Sequence, residues 1–193
     1  MKNNTMTYDF EDGVGPVPAH QHSRGRGWVA NTARVESSAY IGPNARIYGT
    51  AVVCGTAVVY GYARVYGTAR VFDNASVFDN AVVYGNAKVY GYARVYGYAR
   101  VTDAASVCDH ASVYGYALVT GTAVVYGNAQ VYDNASVYGN ASVYGNAVVF
   151  GNAWVFGNAS VYGNAEVYGT ADVCGNAVVG MRLDAESLKI VPR

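Results

Sequence analysis

The stretch Val137-Tyr138-Gly139-Asn140-Ala141-Ser142 is followed at once by Val143-Tyr144-Gly145-Asn146-Ala147-Val148. The same six-residue pattern fills the chain from Val29 to Val179, with Val or Ile at every sixth residue. Ala occupies every sixth residue from Ala33 to Ala177. We number each unit from its Val or Ile as position 1, which makes Ala position 5. A strict short period over most of a chain is the signature of a repeat architecture.

Alternation within the unit predicts a short β-strand followed by a turn. If positions 5, 6, 1 and 2 are extended, positions 5 and 1 face one side and positions 6 and 2 face the other. Positions 3 and 4 then form the turn, and they carry mostly Gly or Asp and then Asn, which tolerate left-handed backbone angles. A helix is excluded because nearly every unit has a glycine, each costing about 1 kcal/mol. Such short strands bury an interior only if the chain coils and the coils stack.

The unit Ile41-Gly42-Pro43-Asn44-Ala45-Arg46 resembles the bacterial-transferase hexapeptide repeat: aliphatic, Gly, two variable residues, small residue, variable residue. The resemblance covers roughly residues 29–180. It implies an all-β fold, a single left-handed parallel β-helix with three hexapeptides in each triangular coil. At 18 residues per coil, residues 29–179 would make about 8.4 coils, or a prism about 40 Å long at a strand spacing of ~4.8 Å. Relatives with this fold also suggest a homotrimer.

The two ends of the chain depart from the repeat. A stack of coils leaves an unpaired strand edge and an open core at each end, so terminal segments of different sequence are expected to act as caps. We therefore divide the chain into an N-terminal cap or lead-in (1–28), a hexapeptide-repeat β-helix (29–180) and a C-terminal cap (181–193). Trp28, next to the first Val of the repeat, is predicted to plug the open N-terminal end.

Charge and composition exclude some classes of partner. The formal net charge is zero, whereas nucleic acids and anionic membranes attract proteins with a basic excess. Although 52% of the residues are hydrophobic, they do not form a run of about 18 that could span a bilayer. The opening residues 1–7 lack the apolar core of a secretory signal. We expect a cytoplasmic protein with no nucleic-acid or membrane partner.

Cysteines and histidines give little sign of a metal or redox site. Cys54, Cys108 and Cys174 each stand at position 2 in place of an aromatic residue, which indicates substitution within a column rather than a disulfide or metal framework. His20 and His22 would project to one side of an extended segment, as two metal ligands do. No third ligand lies near them in the sequence, so we expect no metal and no cofactor.

An acyltransferase of the hexapeptide-repeat family that this chain resembles needs a catalytic histidine, a loop that protrudes from a coil, and a cleft between subunits for a donor such as acetyl-CoA. There the histidine is the base that deprotonates the acceptor. Within the repeat the only histidine is His110, at a turn beside Asp109, and no loop interrupts residues 29–179. We therefore predict no catalytic residue. The enzyme alternative would need His20 or His22 as the base, against a neighbouring subunit.

Position 2 is where the sequence departs from the family pattern. It carries Tyr or Phe in 17 of the 22 units from Ile47 to Val173, where the family often has Gly. Stacking at intervals of 18 residues predicts one uninterrupted aromatic column on one wall: Tyr60, Phe78, Tyr96, Tyr114, Tyr132, Phe150 and Tyr168. One interpretation is that this column has a purely structural role and stabilises the solenoid by about 0.5–1.5 kcal/mol per ring pair. The other is that it binds a partner.

Position 6 predicts a second outward column on another wall: Arg46, Arg64, Val82, Arg100, Leu118, Ser136, Trp154 and Asp172. Its first half is basic and its second half is not, which is too sparse a pattern for a nucleic-acid track. The sequence thus favours a non-catalytic structural or protein-interaction solenoid whose partner is a protein or another copy of itself. A carbohydrate-binding surface is a further alternative.

Overall fold

The computed structural model describes residues 6–181 and 189–190, and this part of the chain forms a parallel β-solenoid without a helix. The predicted all-β architecture of stacked coils is confirmed. The strands are β1 (Thr7–Tyr8), β2 (Val17–Gln21), β3 (Trp28–Ala30), β4 (Arg34–Val35), β5 (Tyr40–Ile41), β6 (Arg46–Ile47), β7 (Val52–Val53), β8 (Val58–Val59), β9 (Arg64–Val65), β10 (Arg70–Val71), β11 (Ser76–Val77), β12 (Val82–Val83), β13 (Lys88–Val89), β14 (Arg94–Val95), β15 (Arg100–Val101), β16 (Ser106–Val107), β17 (Ser112–Val113), β18 (Leu118–Val119), β19 (Val124–Val125), β20 (Gln130–Val131), β21 (Ser136–Val137), β22 (Ser142–Val143), β23 (Val148–Val149), β24 (Trp154–Val155), β25 (Ser160–Val161), β26 (Glu166–Val167), β27 (Asp172–Val173), β28 (Val178–Val179) and β29 (Lys189–Ile190).

Three sheets form the walls of the solenoid. Wall A runs from β3 through every third strand to β27 and ends with β29; wall B runs from β4 to β28, and wall C from β5 to β26. Each strand of the repeat pairs in parallel with the strand 18 residues away, as Val71 does with Val53 and Val89. Three hexapeptides therefore make one coil. We call the turns that lead from wall A to wall B corner A, those from wall B to wall C corner B, and those from wall C back to wall A corner C.

The regular strands are two residues long, positions 6 and 1, and so are shorter than the predicted four. Hydrogen bonds between coils nevertheless continue past them. The amides of Val124, Tyr126 and Asn128 donate to carbonyls of the next coil at 2.9, 3.0 and 2.7 Å. Because the amide at position 4 takes part, the turns are stacked and bonded as regularly as the strands.

Positions 1 and 5 form the core, as the alternation predicts. The Val, Ile and Ala side chains at these positions are fully buried through the middle of the stack. At position 3 the coils approach so closely that a β-carbon on Gly145 (φ 72°) would lie 2.9 Å from the backbone nitrogen of Gly163. Five position-3 residues are aspartates with φ between 55° and 60°: Asp73, Asp79, Asp103, Asp109 and Asp133.

The N-terminal segment lies against the first coils. Strand β1 pairs antiparallel with β2, and β2 pairs antiparallel with β3 at the start of wall A. The amide of Gly27 donates to the carbonyl of Ile41 at 2.9 Å, and the amide of Ile41 donates to the carbonyl of Arg24 at 3.0 Å. The segment therefore satisfies backbone groups at the first strands of walls A and C.

Trp28 does not plug the core, so that prediction is wrong. Its neighbour Val29 is fully buried, and alternation along β3 places Trp28 on the outer face of wall A. There its ring stacks on Tyr8 with centroids 4.2 Å apart. Most of the predicted C-terminal cap (181–193) lies outside the described residues; within it, β29 pairs with β27, and Ile190 stands opposite Val173.

Candidate interaction surface

The structure brings together all seven residues of the aromatic column predicted from the 18-residue interval, which we call the ring column. Neighbouring rings are stacked face to face, with centroids 4.8–5.2 Å apart and planes within 1–12° of parallel. The column runs along the wall C side of corner C. The positions predicted from the sequence are thus correct, while a binding role for them stays a prediction.

Stacking limits what the ring column can present to a partner. Each interior ring has both faces covered by its neighbours, and Phe78 is only 9% exposed. Hydroxyl groups and ring edges remain accessible, and the hydroxyl of Tyr114 donates to Oε1 of Gln130 at 3.2 Å. Burial, and then the neighbouring hydroxyls of Tyr96 and Tyr132, raise the pKa of Tyr114 to about 12. Most of this column is packed structure rather than open surface.

A more exposed aromatic set lies at position 4 of corner C, and sequence reasoning missed it. Tyr62, Tyr98 and Tyr116, which we call the tyrosine edge, are 64%, 53% and 65% exposed. The rings of Tyr98 and Tyr116 stack with centroids 5.0 Å apart. The sequence signal is the Tyr-Gly-Tyr triplet, in which a second tyrosine occupies the turn position that usually carries Asn.

The outward column of wall A borders the tyrosine edge. Its first residues are covered by the N-terminal segment: Arg46 forms an ion pair with Glu11 at 2.8 Å and lies over the ring of Tyr8 at 5.6 Å. The Arg46 guanidinium also holds the pKa of the Glu11 carboxyl below its usual value. The open column, as we call the remainder, consists of Arg64, Val82, Arg100, Leu118, Ser136, Trp154 and Asp172; of these, Val82 is buried, at 9% exposure.

Two shallow grooves lie where the open column meets corner C, one near each end. The first is lined by Glu11, Asn44, Arg46, Tyr62, Arg64 and Asn80. The second is lined by Asn134, Asn152, Trp154, Thr170 and Asp172. Trp154 is 48% exposed and meets Tyr138 edge-on at 6.3 Å. Neither Arg64 nor Asp172 forms an ion pair with another described residue.

Charge is divided along the solenoid axis. Residues 29–100 carry seven Lys and Arg side chains against three Asp and Glu, whereas residues 101–179 carry five Asp and Glu and no Lys or Arg. The N-terminal half of the repeat therefore has a formal charge of +4 and the C-terminal half has −5. The zero net charge of the chain conceals this axial asymmetry.

The histidines are held in separate environments. His20 Nδ1 lies 2.9 Å from Oδ1 of Asn31 on the surface, while His22 is buried. His22 Nδ1 lies 3.1 Å from the Arg24 carbonyl oxygen and 3.3 Å from the Arg24 amide nitrogen, and His22 Nε2 lies 3.2 Å from the Glu36 carbonyl oxygen. His110 is exposed at corner B, stacked on Tyr92 at 5.0 Å.

The cysteines and the residue types that bind metals form no cluster in the described part of the chain. All three cysteines are unbridged. Burial raises the pKa of the Cys108 thiol, and likewise that of Cys54. Among residues 6–181, no group of three or more His, Cys, Asp or Glu side chains is arranged to hold a metal ion.

Comparison with known proteins points to the same architecture. Residues 129–144 and 141–157 match the family model of the YdcK beta solenoid repeat. The chain is therefore similar to a β-solenoid repeat family in this segment, in agreement with its stacked coils. No curated protein and no solved structure matches the chain. The described part of the chain contains no helix that is long and apolar enough to cross a membrane.

Proposed function

We propose that the protein is a non-catalytic solenoid, of the left-handed hexapeptide type, that binds a protein partner along wall A and corner C. The observation that supports this proposal is the concentration of exposed Tyr and Trp side chains on one side. Tyr62, Tyr98 and Tyr116 border the open column, Trp154 belongs to it, and all four are 48–65% exposed. Tyr, Trp and Arg are the residue types enriched at the centres of protein interfaces.

The shape of this side also suits a protein partner. Wall A and corner C are built from stacked strands and bonded turns, so the side chains are held on a rigid frame. Rigid aromatic side chains give contact area at a low cost in conformational entropy. Long solenoids in general use such extended faces for binding.

The test is cross-linking of the full chain in cell extract, followed by mass spectrometry, with wild type and the Tyr98→Ser/Tyr116→Ser variant. We expect specific protein cross-links that the double variant loses. The matched control is Tyr92→Ser, an equally exposed tyrosine (58%) at corner B. Cross-links that the corner C variant keeps, or that Tyr92→Ser loses equally, would contradict the proposal.

The acyltransferase alternative makes a separate prediction. Of its two candidate bases, His22 is buried with backbone partners at both ring nitrogens, which leaves His20. We expect isothermal titration calorimetry of the pure protein with acetyl-CoA to show no binding. A micromolar dissociation constant that His20→Ala abolishes would replace our proposal with the enzyme.

A carbohydrate ligand is a second candidate, favoured by the groove beside Trp154. An indole ring bordered by the amides of Asn134 and Asn152 and the carboxylate of Asp172 offers both stacking and hydrogen bonds to a sugar. The chain has only two tryptophans, so Trp28→Phe isolates the fluorescence of Trp154. Oligosaccharides should quench or shift this emission, and a flat titration with a set of glucans, chitin fragments and uronic-acid polymers would eliminate the candidate.

A further inference from the structure

We infer that wall A binds a second copy of this chain, related by a two-fold axis that runs parallel to the strands through Leu118, so that the two solenoids lie antiparallel. This inference rests on the proposed function, for which it names the partner. A half-turn about such an axis reverses the direction of the solenoid but keeps the position-6 column opposite itself. The interface would be isologous, with each contact made twice.

The open column is self-complementary under this operation. Within the repeat it has seven members, and Leu118 is the fourth from either end. The half-turn creates these opposing pairs: Arg64 with Asp172, Val82 with Trp154, Arg100 with Ser136, and Leu118 with Leu118. A cation thus meets an anion at each end of the interface, Leu118 meets its own copy at the centre, and Arg100 meets Ser136 beside it; Val82, opposite Trp154, is largely buried in its own chain.

The facing side chains at corner C are complementary in size. The same half-turn sets the position-4 residues of one copy against those of the other: Tyr62 with Thr170, Asn80 with Asn152, Tyr98 with Asn134, and Tyr116 with Tyr116. Each bulky tyrosine off the axis therefore meets a short polar side chain with hydrogen-bonding capacity. The groove at Arg64 also faces the groove at Asp172.

The axial charge asymmetry selects antiparallel over parallel packing. In a parallel dimer or a parallel trimer, the basic halves of the copies lie side by side, and so do the acidic halves. On the facing surface itself, the open column carries Arg64 and Arg100 in its first half and Asp172 in its second, and the antiparallel dimer sets these two halves against each other. Like charges in contact cost energy, whereas complementary fields speed association and fix its register. The charge distribution therefore favours the antiparallel dimer over the homotrimer that the hexapeptide resemblance suggests.

The size of the contact surface on wall A sets the expected affinity of the dimer. Six coils separate Arg64 from Asp172, a distance of about 29 Å at ~4.8 Å per coil. A wall one strand wide is at the small end of specific interfaces, which bury about 800 Å² per partner. We expect a dimer with a dissociation constant in the micromolar range.

The test measures the mass of the purified full chain by sedimentation equilibrium from about 1 to 500 µM, a range that spans such an affinity. Wild type should show a monomer–dimer equilibrium that weakens with added salt, since the end pairs are ionic. Arg64→Glu and Asp172→Arg should each weaken the dimer by about tenfold or more. The Arg64→Glu/Asp172→Arg double variant should dimerise like wild type, and so should an equimolar mixture of the two single variants.

Orientation is tested by cysteine cross-linking in a background with Cys54, Cys108 and Cys174 replaced by alanine. A mixture of Arg64→Cys and Asp172→Cys chains should form the mixed disulfide, because these levels meet in an antiparallel dimer. Arg64→Cys alone should not cross-link to itself. Lys88→Glu on wall B is the charge-reversal control and should leave the dimer unchanged. Thermal unfolding of each variant shows that it is folded.

The outcomes separate this inference from the proposed function. A monomer at every concentration, a trimer, or an Arg64→Cys disulfide with itself would overturn the antiparallel dimer. If the pure protein is monomeric but the tyrosine edge still captures another protein from extract, the proposed function stands and only the identity of the partner changes. If both assays are negative, both proposals fall.

Discussion

The alanine at position 5 is fully buried in every coil from Ala39 to Ala165. A larger side chain at this position has to displace its buried neighbours. Replacing Ala111 with Leu should therefore overpack the core and lower the free energy of unfolding by about 1–3 kcal/mol or more. Chemical denaturation monitored by circular dichroism measures this change.

Ala104 provides the matched control for that substitution. It stands at position 4 of corner A, exposed to solvent, so Ala104→Leu should change the free energy of unfolding by no more than about 0.5 kcal/mol. Equal effects of the two leucines would show that burial at position 5 does not limit side-chain size.

The aspartates at position 3 combine a left-handed backbone with a bond to the next coil. Asp133 has φ 55°, and its Oδ2 accepts a hydrogen bond from the amide of Gly151 at 3.2 Å. Asp133→Ala keeps the unfavourable backbone angle and loses the bond, so we expect a loss of about 1–2 kcal/mol in the free energy of unfolding. The urea midpoint reports it. Asp133→Asn, which tolerates the angle and can accept the bond, should be close to wild type.

At the scale of the element, the tyrosine columns link stability to alkaline pH. The pKa is raised to about 12 for Tyr114, chiefly by burial, for Tyr48, also chiefly by burial, and for Tyr90, chiefly by a hydrogen bond with Cys108. In the unfolded chain a tyrosine titrates near about 10. Above that pH the unfolded state loses protons that the folded state retains, so the stability from these neutral hydroxyls is complete below about pH 10 and falls as pH rises through 12.

Two measurements check this alkaline sensitivity. The melting temperature should be level up to about pH 10 and then decline, and the ultraviolet signal of tyrosinate should show a late-titrating group of tyrosines. Tyr114→Phe should remove part of the decline. A single titration with all tyrosines near their ordinary pKa would contradict the prediction.

At the scale of the whole molecule, the N-terminal segment covers the end of the stack, which leads us to propose that it is a cap. Removing residues 1–27 would unpair β3 from β2 and free the backbone groups of Ile41 that bond to Gly27 and Arg24. Open strand edges recruit other chains. The truncated protein should melt at a lower temperature and form large end-to-end assemblies, detected by light scattering.

The control for the truncation is Glu11→Ala, which removes the ion pair with Arg46 but leaves the strand pairing in place. This exposed pair contributes little to stability, so the variant should melt and scatter light as wild type does. A truncated chain with the same melting temperature and mass distribution as the full chain would refute a capping role.

The six-residue period predicts the Val and Ala interior, and the resemblance to the hexapeptide repeat supplies the 18-residue coil from which the ring column follows, because residues 18 apart then lie in contact. The extent to which each ring is buried does not follow from the period, since it depends on the exact distance and tilt between neighbours. The tyrosine edge is visible in the sequence as an unusual residue at position 4. Its proposed role in binding, however, depends on the exposed wall beside it, which the sequence does not show.

The sequence by itself thus determined which residues share a column, since a repeating chain carries its own register. Only the tertiary structure decided which part of each column is open. Residues 6–28 have no period, and their place is fixed by contacts distant in sequence, such as Tyr8 on Trp28 and Glu11 on Arg46. Those contacts cover the first levels of wall A and leave the surface from Arg64 to Asp172, with Leu118 at its centre.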